Sequence, residues 1–186
     1  MGFFVRWLQR FVQLGLELAA QLIGGLLSTP QTAARRALSP IVVRPGEIAE
    51  LIDVRHQVLR AGRPRETAHF QGDDEPDARH WVAVQADRVV GVVTVLARPL
   101  PADTADAPTP APGWQLRGMA VAQGLQGEGI GGKLLEAVHR DVAEPLWCNA
   151  RVRAEPFYRR HGWRAVGPSF DIPPIGPHQR MVWSAA

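Results

Sequence analysis

The chain has one cysteine, one tyrosine and, among its 21 basic side chains, one lysine. A lone Cys148 cannot close an internal disulfide and rules out a cysteine-based zinc module; it suits a reducing, cytoplasmic compartment. The histidines show no H-E-x-x-H or comparable ligand spacing, so no metal is expected. No period runs through the 18 glycines and 16 prolines, which excludes collagen-like and repeat architectures. With 46% hydrophobic residues in a chain of 186, there is enough apolar material for one packed core, and global disorder is excluded.

Excess charge is missing from most of the chain. Residues 41–186 hold 17 basic and 17 acidic side chains, so the formal +3 belongs to residues 1–40, where Arg6, Arg10, Arg35 and Arg36 face Glu17 alone. A basic pI of that origin is poor evidence for a nucleic-acid partner, and none is expected.

Residues 2–28 read as one amphipathic helix that stops where Thr29 precedes Pro30. Arg6, Gln9, Arg10, Gln13, Glu17, Gln21 and Ser28 fall inside an arc of about 120°, and the rest is apolar. A charge at mid-bilayer costs roughly 2.5–3.5 kcal/mol, so Glu17, flanked by Gln13 and Gln21, argues against a membrane span. The same stripe breaks the apolar region of a signal peptide, and no clean cleavage site follows. Arg6 stands where a myristoylation signal needs Ser or Thr. The helix can lie in a membrane surface, attach to a membrane-protein complex, dock on a soluble partner or a second copy, or fold onto its own domain. Residues 29–40 read as a linker.

From residue 41 the patterns alternate between strand and helix. Ile41–Arg44 reads as a short strand, and Glu47–Leu59 as a helix with Ile48, Leu51, Ile52 and Leu59 on one side. Residues 61–79 are polar and irregular. His80–Ala86 and Arg88–Ala97 form a hairpin joined at Asp87, and residues 99–113 are a Pro-rich loop. Trp114–Ala122 is a strand, Ile130–Val142 a helix with Leu134, Leu135 and Val138 inward, Leu146–Val152 a strand, Glu155–His161 a short helix and His178–Trp183 a final strand. This predicts an α/β (α+β) domain on a mixed sheet.

Between the strand ending LRGMAV (Leu116–Val121) and the helix at Ile130 stands Gln126-Gly127-Glu128-Gly129-Ile130-Gly131-Gly132. Glycines there let successive backbone N–H groups converge on an anion at a helix N-terminus. The loop lacks the Gly-Lys-Ser/Thr of a Walker A and the spacing of a dinucleotide fingerprint. Downstream stands Ala154-Glu155-Pro156-Phe157-Tyr158-Arg159-Arg160-His161-Gly162-Trp163. Together, in this order and on these elements, the two segments resemble the GNAT superfamily of acyl-CoA-dependent N-acyltransferases, over about residues 41–186.

The resemblance implies a mostly antiparallel sheet flanked by helices, with acetyl-CoA as acyl donor and an amine as acceptor. It implies that Met119, Ala120 and Val121 offer strand backbone to the pantetheine, and that Gln126, Gly127, Glu128, Gly129, Ile130, Gly131 and Gly132 wrap the pyrophosphate. It places the pantetheine between the fourth and fifth strands, and makes Tyr158 the acid that protonates the departing thiolate, a task a phenol suits because it is protonated at neutral pH. Tyr158 also reads as an aromatic packing its helix. The asparagine that many members carry three residues before the motif alanine is here Arg151; Asn149, two residues earlier, is the other candidate for the cofactor.

No residue announces itself as the base for the acceptor amine. His80 and His178 each open a strand and stand as candidates, or as ordinary hydrogen-bonding histidines. Asp73, Asp74, Glu75 and Asp77 read as a solvated loop or as an acidic lip for a cationic amine; Pro76 breaks the calcium-loop pattern. The acceptor pocket of this fold is built from the first helix, the 61–79 segment and the last strands. Two functions remain: an acetyl-CoA-dependent N-acetyltransferase, or a GNAT-fold accessory subunit with weak or lost catalysis, attached by residues 2–28 to a membrane or membrane-protein complex.

Overall fold

The computed structural model describes residues 39–184. The helix read over residues 2–28 and all but the last two residues of the linker read over 29–40 lie outside the described residues. Seven strands form one sheet in the order β1-β2-β3-β4-β5-β7-β6. They are β1 (Val42–Pro45), β2 (Arg79–Gln85), β3 (Arg88–Ala97), β4 (Trp114–Val121), β5 (Leu146–Arg151), β6 (Arg164–Ile172) and β7 (Gly176–Trp183). All neighbouring pairs are antiparallel except β4 and β5. Among the described residues three α-helices accompany them: α1 (Ile48–Leu59), α2 (Ile130–Val142) and α3 (Glu155–Arg160).

The two faces of the sheet are covered by different helices, as alternation along its strands requires. Leu51 and Val54 of α1 pack with Val82, Val92 and Ala120. On the other face Leu134, Leu135 and Val138 of α2 are fully buried against Trp81, Ala83, Val93 and Val95. At the start of α1, Glu50 accepts the Glu47 backbone N–H at 3.0 Å and holds Arg44 at 2.7 Å, which draws its carboxyl down to about 2. The β2–β3 hairpin turns through Ala86 and Asp87, both with positive φ (48° and 59°), the twist a two-residue turn needs.

One strand was absent from the sequence reading. β6 runs through Gly167 and Pro168, and its register with β7 shifts between Val166 and Phe170. It is an edge strand, where a bulge accommodates a proline that cannot donate to the ladder. The helix α1 also carries a surprise on its inward face. Arg55 is fully buried, while Ile48 and Leu59 are only half-buried.

Candidate active site

Two irregularities in β4 open the site. The first is a bulge: between Val92 and Thr94 of β3 the partner register on β4 jumps from Ala120 to Arg117, so β4 carries an extra residue. Gly118 sits in it with φ +59°, and a Cβ there would meet the Arg55 guanidinium 2.7 Å away. The second is a splay. β4 and β5 pair only at Trp114–Leu146 and Gln115–Trp147, at their N-terminal ends, and then part company. The parting leaves a cleft of about 890 Å³.

Met119, Ala120 and Val121 line one side of this cleft, and Cys148, Asn149, Ala150 and Arg151 the other. At the end of β4 the chain turns through Gln126, Gly127, Gly129, Ile130, Gly131 and Gly132, all of which also line it. Gly129 caps α2 with φ +78°, and a Cβ on Gly127 or Gly129 would meet nothing within 4 Å. The first amides of α2 have no partner within the helix, and with the helix dipole they form an anion site. Of the residues the resemblance assigns to the cofactor, Glu128 alone does not line the cleft; its side chain is exposed. The Asn149 side-chain oxygen is buried and has no hydrogen-bond partner among the described residues, a polar atom left over for a ligand.

Tyr158 is buried and lines the cleft from α3. Its hydroxyl donates to the Met119 thioether at 3.7 Å and touches the Cys148 thiol, and its ring meets Phe157 and Trp163 edge-on. Burial pushes the phenol well above its ordinary range, so it holds its proton. The packing and acid readings of Tyr158 are therefore compatible in one position. Burial likewise pushes the Cys148 thiol up, which leaves it unreactive.

The two candidate histidines separate. His80 does not line the cleft, contrary to the acceptor-side position considered for it. Both its nitrogens are spent: Nε2 donates to the Asp73 carbonyl at 3.1 Å, and Nδ1 meets the Thr94 hydroxyl at 2.7 Å. It belongs to a buried network around Arg55, which bonds Asp73 at 2.5 Å and Thr94 at 2.5 Å. Burial lowers both His80 and Arg55 from their ordinary values. His178 is buried, lines the cleft, and places Nδ1 2.7 Å from the Gly176 carbonyl. A carbonyl only accepts, so Nδ1 carries the hydrogen and the neutral ring keeps Nε2 as an acceptor.

The acidic lip does not form. Asp73 is paired with Arg55, Asp74 with His69 at 2.9 Å and Glu75 with Arg98 at 3.2 Å, while Asp77 accepts the Ala97 N–H at 2.6 Å. None of the four lines the cleft. From the elements expected to hold the acceptor, the cleft is instead lined by Val58 and Leu59 of α1, Arg60 just after it, Phe70 and Gln71, Arg117, and Ile172, Ile175 and His178 around the β6–β7 turn. Arg60, Phe70 and Arg117 went unnoticed in the sequence because nothing in the spacing of residues 60, 70 and 117 announces their meeting. Among the described residues no group of His, Cys, Asp or Glu could hold a metal ion.

A bulged strand, two parallel strands that splay, and a glycine turn opening a helix make a cleft able to take an extended ligand with an anionic group at the turn. Comparison with known proteins agrees with that geometry. Residues 76–165 match the acetyltransferase (GNAT) domain family, and the chain is similar to this superfamily of N-acetyltransferases. It is 26% identical over 140 residues to the uncharacterized N-acetyltransferase YitI of Bacillus subtilis, covering 73% of this chain and 91% of that one. The fold is similar to a histone acetyltransferase HPA2-related acetyltransferase of Corynebacterium glutamicum, with a TM-score of 0.61, 22% identity, and 80% and 98% of the two chains covered. It is also similar to an aminoglycoside 6'-N-acetyltransferase complexed with coenzyme A, with a TM-score of 0.58, 14% identity, and 76% and 95% covered. No helix among the described residues is long and apolar enough to cross a membrane.

Proposed function

We propose that the domain transfers an acetyl group from acetyl-CoA to an amine by direct attack. The observation that carries this reading is the splay of β4 from β5, which leads from the α2 amides to the hydroxyl of Tyr158. Bound acetyl-CoA supplies the activated thioester. The amides from Gly127 to Gly132 hold an anionic diphosphate, strand edges from Met119 to Val121 receive an extended amide-bearing arm, and Asn149 satisfies its orphan oxygen on it. Tyr158 keeps a proton in a dry site and exchanges its weak thioether acceptor for a sulfur on which charge develops. His178, with Nε2 as acceptor, takes the proton the amine must lose. Most of the acceleration comes from holding the two partners in line.

The test is a thermal shift followed by a thiol-release assay on the full chain. At 100 times its dissociation constant, acetyl-CoA stabilises the folded state by about 2.7 kcal/mol. Stabilisation followed by turnover on an amine is the expected result; stabilisation with no turnover on any amine supports the accessory-subunit reading instead.

We also propose that residues 2–28 attach this cytoplasmic enzyme to an anionic membrane surface or a complex embedded in it. Four arginines within residues 1–40 supply the attraction, each on the order of 1 kcal/mol, and the apolar arc supplies burial. The full chain is expected to sediment with anionic vesicles, and salt is expected to release it only in part.

A further inference from the structure

The cleft is lined by six arginines and, among the described residues, by no aspartate or glutamate. That bias is local, because residues 41–186 balance to zero. Its centre is Phe70, whose ring carries three guanidinium groups: Arg60 at 4.6 Å, Arg55 at 4.7 Å and Arg117 at 5.3 Å from the centroid. Arg55 is answered by Asp73. Arg60 and Arg117 are in no ion pair among the described residues. Each spends one nitrogen on a backbone carbonyl, Arg60 on Leu59 at 3.0 Å and Arg117 on Gln71 at 2.6 Å. The rest of each planar fork is left to the cleft.

Like charges held this way are costly until an anion arrives between them. Arg117 feels first its burial, then the attraction of Asp73 set against the repulsion of Arg55 and Arg98, with Glu75 attracting less, and Arg151 feels its burial and the repulsion of Arg153 and Arg60. The phosphates of the donor are not the natural partner of Arg60 and Arg117. The glycine turn follows the end of β4, whereas Arg117 lies in the middle of that strand and both arginines meet on Phe70, from the 61–79 segment.

We propose that the acceptor is an anionic amine, a small molecule carrying a carboxylate or phosphate beside the nitrogen that is acetylated, gripped through that anion by Arg60 and Arg117. This rests on the acetyltransferase reading above and sharpens it. It turns the acceptor class away from polyamines and other polycations, which the cleft repels. It also bears on deprotonation. A positive field disfavours an ammonium ion, so a cationic cleft lowers the acceptor's pKa and assists a single histidine with no carboxylate at hand.

The experiment uses matched pairs of probes on the full chain: L-phenylalanine against phenethylamine, and O-phosphoethanolamine against ethanolamine, with spermidine as a polycation. Initial rates are read from thiol release with acetyl-CoA, and binding of each probe to the CoA-loaded chain is read by calorimetry, so that slow chemistry does not hide recognition. The anionic member of at least one pair is expected to exceed its partner by about tenfold or more in kcat/KM or affinity, a preference that fades with salt. Which pair responds distinguishes a carboxylate from a phosphate acceptor. Arg117→Gln and, separately, Arg60→Gln are expected to erase the preference through KM, with kcat on saturating acceptor and stabilisation by acetyl-CoA kept; Arg117→Lys is expected to restore part of it. Equal or better binding of the members that lack the anion, or preference for spermidine, overturns the proposal while stabilisation by acetyl-CoA still stands. Failure of acetyl-CoA to stabilise the chain overturns the acetyltransferase reading beneath it.

Discussion

Tyr158 is the chain's only tyrosine, and its hydroxyl has already found a sulfur, that of Met119. Tyr158→Phe keeps the ring contacts with Phe157 and Trp163 and removes only the donor. It is expected to lower kcat by about 10²-fold with the fold and acetyl-CoA affinity little changed, checked by steady-state kinetics alongside thermal unfolding. A loss of similar scale is expected for His178→Gln, whereas His80→Gln is expected to act on stability because His80 is tied into the Arg55 network. That network is costly to break: Asp73→Ala leaves a buried guanidinium unpaired and is expected to destabilise by about 3–5 kcal/mol in urea unfolding. The motif residues were readable because their backbone roles are local: glycines before a helix, a tyrosine one turn into the next. Arg55 was unreadable for the opposite reason. Its partners lie 18 and 39 residues away, and at its helical position a charged side chain looks solvent-facing until Asp73 and Thr94 are seen beneath it.

Among the elements, β4 and the turn after it do most to shape the cleft. Gly118→Ala forces a side chain into φ +59° and into the Arg55 guanidinium, and is expected to cost at least the roughly 1–3 kcal/mol of the strained backbone. Gly124, with φ +80° and nothing near its Cβ position, is the matched control; Gly124→Ala is expected to cost only the backbone strain. Gly129→Glu sets a carboxylate at the α2 cap and is expected to abolish stabilisation by acetyl-CoA, while the apo protein loses only the roughly 1–3 kcal/mol of a side chain held at φ +78°, since open space faces that position. Helix α2 was legible to the residue, Ile130–Val142, because its apolar spacing is regular and a glycine stands at its start. Strand β6 was not legible. Gly167 and Pro168 interrupt its alternation, and only pairing with β7 across a bulge makes it a strand.

At the scale of the whole molecule, charge and protons set two expectations. His139 stacks on Trp183 with centroids 3.8 Å apart, and burial, with His161 nearby, draws it down to about 4. A histidine held neutral in the fold takes up its proton on unfolding, so below the ordinary value of 6.5 the unfolded chain binds more protons and stability falls as pH falls. The loss from His139 is expected between pH 6.5 and about 4, with His80, also lowered by burial, adding to it below 6.5. His139→Gln is expected to flatten that slope in melting temperatures taken across the range. Glu50 responds only further down, towards about 2. The neutral balance of residues 41–186 told nothing of the cationic cleft, because composition averages over a surface on which arginines were gathered and their carboxylates turned elsewhere. The claim that the splayed cleft carries acetyl transfer has one direct measurement: mass spectrometry of the anionic amine probes after incubation with the full chain and isotope-labelled acetyl-CoA. One labelled acetyl group on the amine nitrogen, formed by the unaltered chain and lost in Gly129→Glu, is the expected result. Unlabelled acceptors beside a chain that binds acetyl-CoA, or labelling that Gly129→Glu leaves untouched, would contradict it.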